Sequence, residues 1–160
     1  MANRILITAQ EDYTLPAWFS EEKIKAYVTS VLEKLGYDGE EISILFCDDK
    51  MIQELNKNYR NIDSPTDILS FENGEEYMDE EGKWLEAGDI ALSLETLPKN
   101  AEYFKVSQNE ELKRLLIHGI LHLNGYDHGD AHVEAGVEPT DEMLSLQEKI
   151  LATFGGVNLI

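Results

Sequence analysis

Residues 107–128 read SQNEELKRLLIHGILHLNGYDH, and this stretch predicts a buried helix that ends beside a group of histidines. Ser107 with Glu110 forms the capping-box pattern of a helix N-terminus, and Gly125 is a residue type at which helices end. Apolar residues between them cover most of the helix circumference, as in a helix at the centre of a domain. These residues are Leu112, Leu115, Leu116, Gly119, Ile120 and Leu123. We expect a central helix over residues 107–123.

Three of the four histidines of the chain lie in this stretch, at spacings typical of a metal site. His118 and His122 are four residues apart, so their imidazoles leave the same helix face and can share one ion. A left-handed glycine at Gly125 would fold the chain back and bring His128 to that ion. Three protein ligands leave a tetrahedral zinc ion one open position, which is the catalytic pattern and acidifies bound water toward a pKa of about 7.

Two other interpretations of the histidines stay open. His132 or Asp130 could supply a fourth ligand, which would close the site and make it structural. Alternatively, the histidines are ordinary core or surface residues. Asp127 and Asp130 are candidates for carboxylates that orient a ligand imidazole.

The spacing His-x3-His-x2-Gly-x2-His equals that of the metzincin metalloproteases, and Met143 could imitate the methionine beneath their metal. However, Gly119 stands where those proteases carry the glutamate that acts as general base. The sequence therefore disfavours peptide hydrolysis. We expect the small residue at Gly119 to leave open space beside the metal for a bulky substrate.

The remaining pattern alternates short strands with helices and predicts an α+β protein. Apolar, β-branched runs predict strands over residues 4–8, 42–47 and 89–94, with a fourth over 67–71. Helical periodicity predicts helices over residues 20–35, 48–59 and 141–154, with a short one around 100–104. The sequence contains no internal repeat and no linker-like stretch, so we treat residues 1–160 as one domain.

Composition limits the classes of function. Cys47 is the one cysteine, so no intramolecular disulfide can form, and a reducing, cytoplasmic location is expected. We find no export signal and no apolar run long enough for a membrane span. The net charge of −19 argues by itself against nucleic-acid binding. Many of the acidic residues fall within residues 72–86, which we interpret as a solvated loop.

A second group of polar residues precedes the strand over 67–71. Lys57 and Arg60 are a basic pair in an acidic chain, and an arginine fork suits phosphate. The alternative is an ordinary salt bridge from Arg60 to Asp63 or Asp67. Sequence alone leaves both open.

With these residues in place, the chain closely resembles the YbeY family of bacterial metal-dependent endoribonucleases and ribosomal RNA maturation factors. The resemblance covers essentially the whole chain and is most specific in two motifs, PTDILSF at residues 65–71 and the histidine stretch at 118–128. Tyr59-Arg60, Asp63, GDI at residues 88–90, Glu142-Met143 and Ile150-Leu151 follow the same order.

The resemblance implies a central metal-bearing helix packed with other helices against a small mixed four-stranded sheet. It also implies that His118, His122 and His128 bind one zinc ion and that Arg60 acts catalytically on phosphate. The implied substrate is single-stranded RNA, in 16S ribosomal RNA maturation and ribosome quality control, with the small ribosomal subunit and its proteins as partners. The general base stays open between Asp67 and Asp127. Alternatives are a metal-containing ribosome-assembly factor without catalysis and a metzincin-like hydrolase of another substrate.

Overall fold

A computed structural model describes residues 2–127 and 141–160 of the chain. Within these residues there are four strands and five helices, which confirms the α+β class. No helix in the described ranges combines the length and the apolar character needed to cross a membrane. The elements are β1 (Arg4–Ala9), α1 (Glu21–Leu35), β2 (Glu40–Cys47), α2 (Asp49–Arg60), β3 (Ile68–Asp79), β4 (Gly82–Ser93), α3 (Thr96–Phe104), α4 (Gln108–Leu123) and α5 (Glu142–Thr153).

The four strands form one mixed sheet in the order β1-β2-β4-β3. β1 pairs with β2 and β2 with β4 in parallel, whereas β3 and β4 are antiparallel. The predicted small mixed sheet is therefore confirmed. Because β3 is an edge strand, its outer side is free to border a groove.

Helices cover the two faces of the sheet unequally. In β2, Ile44 and Phe46 point into the main core with α1, α4 and α5, whereas Cys47 lies in a smaller cluster with Ile52 of α2. This division follows from the alternation of side chains along a strand. Ten residues of α4 are buried, as expected of the central helix.

Most helix ends follow the side-chain signals in the sequence. Ser20, Asp48, Ser107 and Asp141 are N-caps, and each side chain accepts a hydrogen bond from the backbone N–H three residues on. Gly36 ends α1 in the left-handed conformation, with φ of 85°. The short helix α3 begins at Thr96, earlier than predicted.

The interpretation of residues 72–86 as a solvated loop is wrong, since they form the outer half of a long β3–β4 hairpin. Contacts of Arg4 hold this acidic hairpin against β1: its guanidinium lies 3.8 Å from the centre of the Trp84 ring and 2.6 Å from the Asp79 carboxylate. Glu76 pairs with Lys83 across the strands at 2.8 Å. Partner groups on neighbouring strands thus stabilise a segment whose charge alone predicts a loop.

The expectation of open space at Gly119 is also wrong. A Cβ atom placed on Gly119 would lie 2.8 Å from Ile90 Cδ1 and 3.1 Å from Ile68 Cδ1. Gly119 is therefore a point at which α4 lies close against the sheet, and the glycine serves helix–sheet packing. No room exists there for the glutamate of a metzincin.

Candidate functional site

A polar cleft of about 300 Å³ lies between the C-terminal half of α4 and the edge strand β3. One wall carries His118 and His122 of α4, and the other carries side chains of β3. Arg60, the last residue of α2, completes the lining. Within residues 2–127 and 141–160, the lining consists of Arg60, Ile68, Ser70, Glu72, His118 and His122.

The two histidines face each other as the helical spacing predicts. Their ring centres are 4.6 Å apart, and each Nδ1 atom has a hydrogen-bond partner outside the cleft. His118 Nδ1 lies 2.7 Å from Gln147 Oε1, and His122 Nδ1 lies 3.0 Å from the Tyr126 carbonyl oxygen. Both partners are oxygen acceptors, so both Nδ1 atoms carry the proton.

The remaining nitrogens, His118 Nε2 and His122 Nε2, are 3.1 Å apart. In neutral imidazoles protonated at Nδ1 both Nε2 atoms present lone pairs, which repel each other unless a cation lies between them. Zinc–nitrogen bonds of about 2.05 Å at a tetrahedral angle place two ligand nitrogens about 3.3 Å apart. The donor set of these two residues therefore fits a zinc ion.

The third predicted ligand, His128, lies outside the described residues, as do Asp130 and His132. Among residues 2–127 and 141–160, no group of three His, Cys, Asp or Glu side chains could hold a metal. The role of His128 as the third ligand therefore stays a prediction. The Nδ1 partners of the two described histidines are Gln147 and Tyr126, so the orienting role predicted for Asp127 would concern another ligand.

A left-handed turn at Gly125 places the hydrogen-bond partner of His122. Gly125 has φ of 89°, its N–H donates to the His122 carbonyl, and the Tyr126 N–H donates to Leu121. This arrangement folds the chain back just after α4, as predicted, and aims the Tyr126 carbonyl at His122 Nδ1.

Arg60 reaches the cleft because the chain turns sharply after α2. Asn61 caps α2 in the left-handed conformation, and the buried Asn56 side chain donates to the Ser64 carbonyl. Arg60 Nη2 then donates to the Ser70 carbonyl of β3 at 3.0 Å. In the described part of the chain, Arg60 forms no ion pair with Asp63 or Asp67, the alternative left open by the sequence.

The other polar candidates lie elsewhere. Lys57 does not line the cleft. Asp67 is occupied structurally: its carboxylate accepts hydrogen bonds from the Ile68 N–H at 2.7 Å and from Asn100 Nδ2 at 2.8 Å. Glu72 lines the cleft, although its position in the acidic stretch of residues 72–86 predicts a solvated loop.

Sequence reasoning also missed Gln147, which is 1% exposed. A usable signal was present, because Gln147 is four residues after Met143 and three before Ile150, both inward-facing residues of α5. A polar side chain at such a position requires a buried partner.

Glu111 of α4 is also buried. Its burial raises the pKa of its carboxyl group, while the adjoining Arg114 guanidinium opposes the shift.

Comparison with solved structures supports the fold of this α+β protein with its mixed sheet and central helix. The solution structure of TM1509 from Thermotoga maritima matches with a TM-score of 0.59 and 26% sequence identity, over 95% of this chain and 89% of that one.

Comparison of sequences gives the family. The family model described as Endoribonuclease YbeY matches residues 7–155. The Endoribonuclease YbeY of Treponema denticola is 46% identical over 99% of this chain and 98% of its own length. That of Aquifex aeolicus is 39% identical over 82% of each chain. The chain therefore belongs to the Endoribonuclease YbeY family.

Proposed function

We propose that this protein is a zinc-dependent, single-strand-specific endoribonuclease that acts in 16S ribosomal RNA maturation and ribosome quality control in the cytoplasm. Its partners would be the small ribosomal subunit and its proteins. The observation that carries the metal site is the approach of His118 Nε2 and His122 Nε2 to 3.1 Å, with both Nδ1 atoms directed at oxygen acceptors outside the cleft. Family membership supports RNA as the substrate.

His118 and His122, with the predicted ligand His128, would hold the ion. When bound, zinc would act as a Lewis acid toward a phosphodiester oxygen or a water molecule. Arg60 binds the phosphate in the same cleft and stabilises the negative charge that grows on its oxygens. The Ser70 carbonyl accepts one guanidinium N–H and so orients the fork, which leaves other donors for substrate.

The net charge of −19 constrains how RNA reaches this cleft. Among the described residues that line the cleft, Arg60 is the one arginine or lysine, and Glu72 lines the same cleft. Long-range attraction therefore does not bring RNA to the protein. We infer that the ribosome delivers the substrate.

The test is cleavage of an end-labelled single-stranded RNA by zinc-loaded protein. We expect His122→Ala to abolish cleavage and Arg60→Ala to reduce it by about 10²–10³-fold, as for loss of a donor that stabilises transition-state charge. Lys57→Ala is the matched control, because it removes a positive charge from α2 without altering the cleft lining. Its cleavage rate should remain within about twofold of wild type.

The products give a second measurement. Attack by the RNA's own 2′-hydroxyl would leave 2′,3′-cyclic phosphates and spare a DNA of the same sequence. Equal cleavage by wild type and both site variants would refute the proposal.

A ribosome-assembly factor without catalysis is the second candidate, favoured by the acidic surface, which suits basic ribosomal proteins. In that case His122→Ala would mainly lower the free energy of unfolding of the zinc-loaded protein. Ribosome binding would persist in Arg60→Ala.

A further inference from the structure

The side chain of Gln147 joins α5 to the histidine face of α4. It is almost fully buried, and its Oε1 atom lies 2.7 Å from His118 Nδ1. Gln147 Nε2 donates to Glu148 Oε2 at 3.1 Å. Because the amide nitrogen is committed to that carboxylate, the amide oxygen must face the imidazole.

Glu148 is itself held in place. Arg114 of α4 donates to both Glu148 oxygens through Nε and to Oε1 through Nη2, at 3.1 to 3.3 Å. The Arg114 Nη1 atom donates to Glu111 Oε1 at 2.8 Å, and the Glu111 side chain is 2% exposed. A forked guanidinium with two carboxylate partners is a rigid support for the amide of Gln147.

The same network continues to the opposite wall of the cleft. Asn100 of α3 lies between Glu111, at 3.5 Å, and Asp67, at 2.8 Å. Asp67 in turn accepts from the N–H of Ile68, the first residue of β3. Hydrogen bonds therefore connect His118 to the strand that faces it.

We propose that Gln147 is a positioning residue: it fixes the Nδ1-protonated tautomer and the ring orientation of His118, so that Nε2 is directed to a divalent metal ion. The inference rests on the proposed function for the identity of the ion. Arg114 and Glu148 act through Gln147, because they determine which end of its amide meets the imidazole. Loss of the hydrogen bond between a ligand imidazole and its acceptor typically lowers metal affinity by about 10–100-fold.

The first experiment measures zinc affinity of the full chain by competition with a chromogenic chelator. Gln147→Leu removes the acceptor while keeping a side chain of similar size, and we expect its zinc affinity to fall about 10–100-fold. Gln10→Leu is the matched control: Gln10 is also a buried glutamine, but its partners are Asp12 and Asp48. Its thermal stability should fall and its zinc affinity should not change.

A charge-neutral exchange tests the hydrogen bond itself. In the double variant Gln147→Glu, Glu148→Gln, a carboxylate at 147 accepts from His118 and from the new amide at 148, whose oxygen accepts from Arg114. We expect this variant to recover most of the zinc affinity that Gln147→Leu loses, because the His118 imidazole again has a fixed acceptor. Failure of the rescue with a folded protein would overturn the role of Arg114 and Glu148.

The second experiment needs no metal. Long-range ¹H–¹⁵N correlation spectra of the zinc-free protein should show His118 protonated at Nδ1 in wild type and in the exchanged double variant. In Gln147→Leu, a substantial Nε2-protonated fraction should appear. Wild-type tautomer and wild-type affinity in Gln147→Leu would refute the inference. If wild type and His122→Ala bind zinc equally, the proposed metal site is wrong. The tautomer of His118 in the zinc-free protein would then still decide the role of Gln147.

Discussion

Replacing Gly119 by alanine tests whether α4 touches the sheet as tightly as the structure indicates. The added Cβ would lie 2.8 Å from Ile90 Cδ1, about 0.7 Å inside the optimal carbon–carbon separation. Ile90 is 1% exposed and has little space in which to move. Overpacking of this kind costs about 1–3 kcal/mol.

A gain in helix propensity offsets part of that cost. Glycine to alanine within a helix stabilises by about 1 kcal/mol, so the net expectation for Gly119→Ala is a loss of about 0–2 kcal/mol in the free energy of unfolding. If the space beside Gly119 were open, Gly119→Ala would instead raise the free energy of unfolding by about 1 kcal/mol.

The assay is urea unfolding of metal-free protein in a double-mutant cycle with Ile90→Val. That variant deletes the Cδ1 atom that Gly119→Ala meets, at a cost of about 0.5–1.5 kcal/mol by itself. We expect the two changes to be less damaging together than their sum, by about 1–2 kcal/mol, since contacting residues couple. Additive effects, with Gly119→Ala more stable than wild type, would refute the close approach.

Two further predictions concern the sheet and its neighbouring helix. Gly88→Ala should lower the free energy of unfolding by about 3 kcal/mol or more. Gly88 has φ of 145°, and a Cβ there would lie 2.1 Å from the Phe71 carbonyl oxygen. That oxygen belongs to the backbone and cannot rotate away. Chemical denaturation measures this, and a change below about 0.5 kcal/mol, the range of ordinary surface substitutions, would contradict it. Asp49→Asn should weaken the fold at pH 7 more than at pH 3. Burial acts to raise the pKa of Asp49, but hydrogen bonds from Ser93, Thr96 and Lys99 outweigh it and lower that pKa. A carboxyl whose folded pKa is depressed stabilises the fold above its unfolded value of about 3.9 and loses that contribution as the pH falls through the folded value. Unfolding curves of wild type and Asp49→Asn at both pH values measure the difference, and an equal difference at both would argue against the shift.

Local signals made the helices predictable. Ser20, Ser107 and Asp141 mark N-termini by their own side chains, and each is an N-cap in the structure. The turn at Gly125 was likewise predictable, because a positive φ is a property of the residue itself.

The hairpin and Gly119 were not predictable, because partners distant in sequence determine them. Charge density suggested a loop at residues 72–86, but Arg4, more than seventy residues away, secures the strands by packing on Trp84. Spacing within α4 placed Gly119 beside the histidines without revealing that Ile90 fills the space next to it.

The candidate site divides in the same way. Helical periodicity alone brings His118 and His122 together. Gln147 is 29 positions from His118, and no periodicity joins two separate helices. His128 as a ligand stays a prediction.

One helix serves both the histidine cleft and the docking of residues 154–160. At its N-terminal half, Lys113 Nζ donates to the carbonyls of Phe154 and Val157, and Asn109 Oδ1 accepts from the Leu159 N–H. At its other half stand His118 and His122. Any cation that binds the folded histidines adds RT ln(1 + [L]/Kd) to the free energy of opening α4. Amide hydrogen exchange in the docked segment, far along the chain from the histidines, should therefore slow as that cation is titrated in.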